Sequence, residues 1–147
     1  MKKISRSAIV GHSARELYAL VQDIESYPAF LPWCVETRVH ERSAAETRAT
    51  LTLGVAGLRH SLTTRNDNRP PEAIDLALVE GPFKRFAAGW RFHALSAAAC
   101  RIDFSLEYEF SNRVTARLLE PIFARIADTT VDAFARRADQ VYGPAQR

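Results

Sequence analysis

From residue 33 to residue 110 apolar and polar side chains alternate one by one in six successive runs. The clearest sets Ile102, Phe104, Leu106, Tyr108 and Phe110 against Arg101, Asp103, Ser105, Glu107 and Glu109. Successive side chains of an extended chain point to opposite faces, so each run has one dry and one wet side. The other runs are Trp33, Val35, Thr37, Val39; Ala49, Leu51, Leu53; a weaker His60, Leu62, Thr64; Ile74, Leu76, Leu78; and Phe86, Ala88, Trp90, Phe92. Gly54 and Gly57, Asn66 to Pro71, Gly81-Pro82 and the alanine-rich 97–99 separate them as turn signals. Strands in series with a single apolar face make an antiparallel sheet, and that face has to be covered.

What flanks the alternation supplies the cover. Lys2 to Val10 reads as a further strand, giving seven. Ser13-x-x-Glu16 is a capping-box signature, and Ala14, Leu17, Tyr18 and Val21 follow on one helical face to about Asp23. Residues 112–142 return to helical spacing, with Leu118, Leu119, Ile122, Phe123, Ile126, Thr130, Phe134, Ala138 and Val141 as a broad apolar stripe. Pro121 either kinks this helix or opens its main segment, and Gly143-Pro144 ends it. From Pro121 to Tyr142 the helix spans roughly 33 Å, enough to cross the sheet. The expected fold is α+β: one domain over 1–147, a curved seven-stranded antiparallel sheet around a long C-terminal helix, with a short helical insertion after the first strand.

A straight helix on a twisted, curved sheet touches it in places and leaves a hollow elsewhere. The inward positions predict an apolar lining of Trp33, Leu51, Leu53, Leu62, Phe86, Trp90 and Phe104, with Leu119, Phe123 and Ile126 from the helix. Tyr108 also points inward and needs a partner for its hydroxyl. The stretch Tyr27-Pro28-Ala29-Phe30-Leu31-Pro32-Trp33-Cys34 suits neither a helix nor a strand. It either closes the open end, with Trp33 and Phe30 as core, or forms a rigid, partly exposed lip at the pocket. Phe83, in Gly81-Pro82-Phe83-Lys84-Arg85, either folds into the core or forms an apolar tip beside two cations, suited to an anionic bilayer surface.

The layout resembles the helix-grip fold of the START-like superfamily, which includes polyketide cyclases. Tyr27-Pro28-x-Phe30-Leu31-Pro32-Trp33-Cys34, Glu80-Gly81-Pro82-Phe83 and Trp90-x-Phe92 resemble the branch holding coenzyme Q-binding proteins and the bacterial ribosome association toxin. The likeness runs from about Lys3 to Tyr142. It implies a domain that holds a polyprenyl quinone in support of respiratory quinone function, with transient membrane contact. Alternatively it implies binding to the large ribosomal subunit that blocks subunit joining. A cyclase-type enzyme is the third reading. Phe30, Leu31, Phe83, Tyr108 and the lining above form the expected ligand site.

Other features narrow these readings. A neutral quinone ring needs one or two donors and no buried cation, and the clearer strands place no Arg or Lys inward. Only His60, Tyr108 and Glu80 offer acid–base chemistry near the hollow, and no nucleotide-binding, nucleophile-elbow or zinc-protease motif occurs, so no catalytic residue is expected. The four histidines and two cysteines have no metal-ligand spacing, and no cofactor is expected beyond a bound quinone. A net charge of +3 permits a phosphate-rich partner, with Arg59 to Arg69 as the basic stretch to serve it. Two thiols and no apolar run of about 20 residues point to the cytoplasm, with contact at the inner membrane as a peripheral protein.

Overall fold

The alternating runs pair in chain order, each with the next, into one antiparallel sheet. The computed structural model describes residues 1–55 and 57–144; residues 145–147, within the expected domain, lie outside the described residues. The strands are β1 (Lys2–Val10), β2 (Cys34–Arg42), β3 (Glu46–Val55), β4 (Leu58–Arg69), β5 (Ala73–Glu80), β6 (Phe83–Ser96) and β7 (Ala99–Phe110). Their order across the sheet is β1-β7-β6-β5-β4-β3-β2. β1 returns to pair with β7, so the helical insertion between β1 and β2 bridges opposite edges of the sheet.

That insertion is helix α1 (Ala14–Gln22) and a 3-10 helix (Ile24–Ala29). Ser13 and Glu16 form the expected capping box: Ser13 Oγ accepts from the Glu16 amide at 3.1 Å, and Glu16 Oε1 accepts from the Ser13 amide at 3.0 Å. The 3-10 turn takes in Tyr27-Pro28-Ala29, where no helix was expected. Proline's fixed φ suits a 3-10 turn, and Pro28 is exposed on its outer side.

Helix α2 (Arg113–Tyr142) is continuous. Its N-cap is Asn112, whose Oδ1 accepts from the Thr115 amide at 2.8 Å. Pro121 lies within the helix and does not open its main segment. α2 is held at its far end by His12 Nε2, 2.7 Å from Asp139 Oδ1, and by the Tyr142 hydroxyl, which donates to the Glu16 carbonyl at 3.2 Å.

Four expectations are corrected. Leu118 and Val141 are 45% and 49% exposed; Leu119, one residue on, is the position that turns fully inward. Each helical step rotates by about 100°, so adjacent leucines cannot both face the sheet. Val35 is also turned outward, at 39% exposed, because an irregularity between Cys34 and Glu36 shifts the parity of β2 and turns Cys34 in. The expected turn from Asn66 to Pro71 shrinks to the residues after Arg69. Asn66 and Asn68 continue the inward row of β4 as buried polar groups, with Thr64 Oγ1 donating to Asn66 Oδ1 at 2.7 Å and Asn68 Nδ2 donating to Thr47 Oγ1 at 3.0 Å.

Phe83 folds back into the core, where its ring centroid lies 5.2 Å from each of Phe86, Phe110 and Phe123. The hairpin therefore presents Lys84 and Arg85 without an aromatic tip.

Cys34 and Cys100 are buried free thiols, and burial pushes both up from 9.0 to about 11. A group raised in the folded state stabilises it fully below the unfolded value. The contribution is then lost as pH rises from about 9 to about 11. At about pH 8 the thiolate fraction is roughly 100-fold below that of free cysteine. Alkylation by iodoacetamide at that pH is expected to be slowed at least that much in the native protein, and to reach both thiols once it is unfolded. Native labelling at the unfolded rate would contradict this burial.

Candidate functional site

Helix α2 approaches β1, β7 and α1 most closely. Between its inward side chains and those of β3 to β7 a cavity of about 80 Å³ remains. Tyr27, Leu31 and Trp33 close it from the connector. Leu51, Leu53, Leu62, Thr64 and Leu76 line it from β3, β4 and β5. Phe86, Ala88, Trp90, Phe104 and Leu106 line it from β6 and β7, and Phe123, Ile126, Thr130 and Phe134 from α2.

Of the residues expected to line a pocket, Leu31, Trp33, Leu51, Leu53, Leu62, Phe86, Trp90, Phe104, Phe123 and Ile126 do so. Four do not. Phe83 and Leu119 are core. Phe30 lies on the outer side of the connector, edge-on to Phe134 at 5.1 Å, with the Arg137 guanidinium 5.1 Å above its ring. Tyr108 is 1% exposed, and its hydroxyl turns from the cavity to donate to Glu120 Oε1 at 3.1 Å, an oxygen also bound by Lys2 Nζ at 2.8 Å. Burial, and then the charge of Glu120, push this phenol well above its ordinary value.

The unforeseen lining residues carried visible signals. Thr64, Leu76, Ala88 and Leu106 are inward members of the alternating runs, and Thr130 and Phe134 belong to the helical stripe. Tyr27 alone gave no indication of direction, since the connector has no period.

The wall has no ionisable carboxylate, amine or guanidinium among its described residues. His60 and Glu80 stay outside it. Its hydroxyl protons are spent inside the protein: Tyr27 donates to the Val21 carbonyl, Thr64 to Asn66, and Thr130 to the Ile126 carbonyl at 2.6 Å. Burial pushes the Tyr27 phenol far up. Trp33 Nε1–H is different. It is fully shielded and meets no acceptor; among the described side chains the only other buried polar atom without a partner is Asn68 Oδ1, an acceptor that meets no donor. An unmade hydrogen bond of this kind costs about 1–3 kcal/mol.

Such a wall can accept a neutral apolar body. It offers nothing to a phosphate and no acid or base to a reacting carbon. At about 80 Å³ the space is below the roughly 300 Å³ of ordinary ligand pockets, so a larger guest requires the wall to move outward. The cover is thinnest at Leu51, Leu76 and Phe86, which are half-buried.

A second feature lies on the outside. Along the first half of α2 the exposed residues Arg113, Val114, Arg117, Leu118, Pro121 and Arg125 form one stripe at helical spacing. Val114 is 70% exposed. Among the described residues no carboxylate lies within 4.0 Å of Arg113, Arg117 or Arg125, while Glu120 is engaged by Lys2 and Asp128 by Arg6. The expected basic stretch on β4 is weaker: Arg65 pairs with Glu46 and Arg69 with Asp75, each at 3.4 Å. Among the described residues no helix is long and apolar enough to cross a membrane. Among the described residues no group of His, Cys, Asp and Glu converges to hold a metal ion.

Comparison with known proteins places this geometry. Residues 10–135 match the family described as polyketide cyclase / dehydrase and lipid transport. The chain is 41% identical over 142 residues to the ribosome association toxin RatA of Escherichia coli, covering 97% of this chain and 90% of that protein. It is 27% identical over 143 residues to the mitochondrial coenzyme Q-binding protein COQ10 homolog B of Xenopus laevis, covering 95% of this chain and 59% of that one. The crystal structure of an aromatase/cyclase from a Streptomyces species has the same fold, with a TM-score of 0.83, 17% identity and coverage of 97% and 98%.

Proposed function

The chain belongs to the polyketide cyclase / dehydrase and lipid transport family, and on that premise we propose that it works by binding rather than catalysis, associating with the large ribosomal subunit and hindering subunit joining. The observation that carries this reading is the stripe of three arginines without carboxylate partners on α2, interleaved with exposed Val114, Leu118 and Pro121. Arginines free of intramolecular pairs neutralise phosphates and release their counterions. Exposed apolar residues beside them suit a partner of RNA and protein together. The full-length likeness to proteins named ribosome association toxins adds weight. So does the inward packing of Phe83, which leaves that hairpin without an aromatic foot for a bilayer. The place of action is then the cytoplasm.

Sedimentation of the protein with isolated subunits tests this. Comigration with the large subunit and not the small one is expected, weakening as salt rises. Comigration with neither, or with the small subunit, would overturn the reading.

A second reading concerns the inside of the same molecule. The uncharged apolar wall supports a polyprenyl quinone as guest, in line with the coenzyme Q-binding relative. Moving a prenyl tail from bilayer to dry pocket exchanges one apolar medium for another, so preference over the membrane has to come from the ring and from shape. Mass spectrometry of an organic extract, from protein purified without detergent, is expected to yield a quinone in proportion to protein. An empty extract would remove quinone as a resident ligand.

A further inference from the structure

We propose that the groove between the connector and the second half of α2 takes one unstacked nucleotide of single-stranded RNA, whose base carries an exocyclic amino group. The inference rests on the first reading above, that the partner is the large ribosomal subunit, and names the chemistry this face meets there. The groove has a volume of about 420 Å³, within the roughly 300–1,000 Å³ of ordinary ligand sites. Phe30, Pro32 and Ala133 supply apolar wall, and Asp132, Arg136 and Arg137 supply charge. Among the described residues no carboxylate lies within 4.0 Å of either arginine, and Arg137 bonds only Gln140 Oε1, at 3.5 Å. The Arg137 guanidinium is held over the Phe30 ring at 5.1 Å, so its unspent donors are placed before any phosphate arrives. An unstacked base regains apolar contact on Phe30, Pro32 and Ala133, whereas a duplex keeps its bases inside. Asp132, one turn before Arg136, also has no cation within 4.0 Å among the described residues. An open carboxylate repels phosphate and accepts from an amino group, which favours adenine, cytosine or guanine over uracil. Asp128, at the same groove, is already engaged by Arg6. Arg125, Thr129, Asp132 and Arg136 succeed one another at helical spacing, so the groove continues the outer stripe and one partner meets both.

The probes are short single-stranded oligomers of cytidine and of uridine, and an abasic strand of equal length, titrated into nitrogen-labelled protein. Oligocytidine is expected to shift the amides of Ala29, Ala133 and Arg137, and to bind about tenfold more tightly than the abasic strand. Its advantage over oligouridine should be about fivefold. Asp132→Asn should bring cytidine and uridine within about twofold, since an amide donates to uracil as well as accepting from cytosine. Arg136→Gln should weaken all three strands alike. Both side chains are exposed, so neither change threatens the fold. Equal binding of oligocytidine and the abasic strand, with shifts along the stripe alone, overturns the groove and leaves the subunit reading standing. Equal binding of oligocytidine and oligouridine by the wild type overturns the selection by Asp132, and the proposal with it. If the protein comigrates with the large subunit and no strand shifts the groove, a ribosomal protein occupies it and the proposal fails. Absence of comigration with the large subunit is the separate result that overturns the first reading.

Discussion

Truncation of Phe134 to alanine is expected to lower stability by about 3–5 kcal/mol. Phe134 is 1% exposed and meets three rings edge-on, Tyr27 at 5.6 Å and Phe30 at 5.1 Å on the connector and Trp90 at 5.1 Å on β6. It joins α2, the connector and β6 at the cavity wall, so its removal costs the transfer of the ring, three aromatic contacts and the space left behind. For a chain of this size the melting temperature should fall by roughly 10–15 °C. The new void adds on the order of 100 Å³ to the existing cavity, and an apolar void of that size stays dry and takes up benzene or xenon. Benzene should therefore restore part of the lost melting temperature in Phe134→Ala, and do little for the wild type. A loss under about 1 kcal/mol would mean that the wall is not organised around this ring.

The second large effect is on the outer surface and leaves the fold alone. Reversing Arg113, Arg117 and Arg125 together to glutamate should weaken binding to the large subunit at least 100-fold. It should also flatten the salt dependence by about three phosphate contacts. The melting temperature should change little, because none of the three has a carboxylate partner to lose among the described residues and all are exposed. Reversal at Arg65 and Arg69, which are already paired on the other side of the molecule, serves as the comparison and should leave binding near the wild-type level. If the two sets of reversals weaken binding equally, attraction by overall charge is responsible and the stripe has no special role.

These two surfaces were unequally legible in the amino-acid order. Alternation fixes which face of a strand is dry, so most of the lining from Leu51 to Phe104 could be read directly. The pattern failed where apolarity and burial part company. Asn66 and Asn68 are inward but polar, held by Thr64 and Thr47, and a search for apolar residues reads them as a turn. Val35 is apolar but outward, because the irregularity in β2 is invisible until β3 is laid beside it. Leu118 and Leu119 illustrate the same limit in a helix, where composition admits both to the stripe and rotation admits one. That misplacement matters for function, since Leu118 belongs to the outer stripe. The unpartnered indole of Trp33 could not be seen at all, because a missing acceptor is a property of everything packed around it.

The two readings also rest on different grounds. The cavity follows from the mismatch between a straight helix and a curved sheet, and any chain with this layout has some version of it. The outer stripe follows from particular residues on a helix whose fold does not need them there. Function is better read from the second kind of feature, since the fold alone is shared with aromatase/cyclases at 17% identity.

The most direct measurement is a subunit-joining assay. Purified large and small subunits are brought together under conditions that favour joining, with increasing amounts of the protein, and the joined particles are resolved by gradient sedimentation. The joined peak is expected to fall with dose while free subunits accumulate, and the triple reversal of Arg113, Arg117 and Arg125 is expected to have no such effect. A joined peak that stays constant at saturating wild-type protein would mean that the protein does not hinder subunit joining.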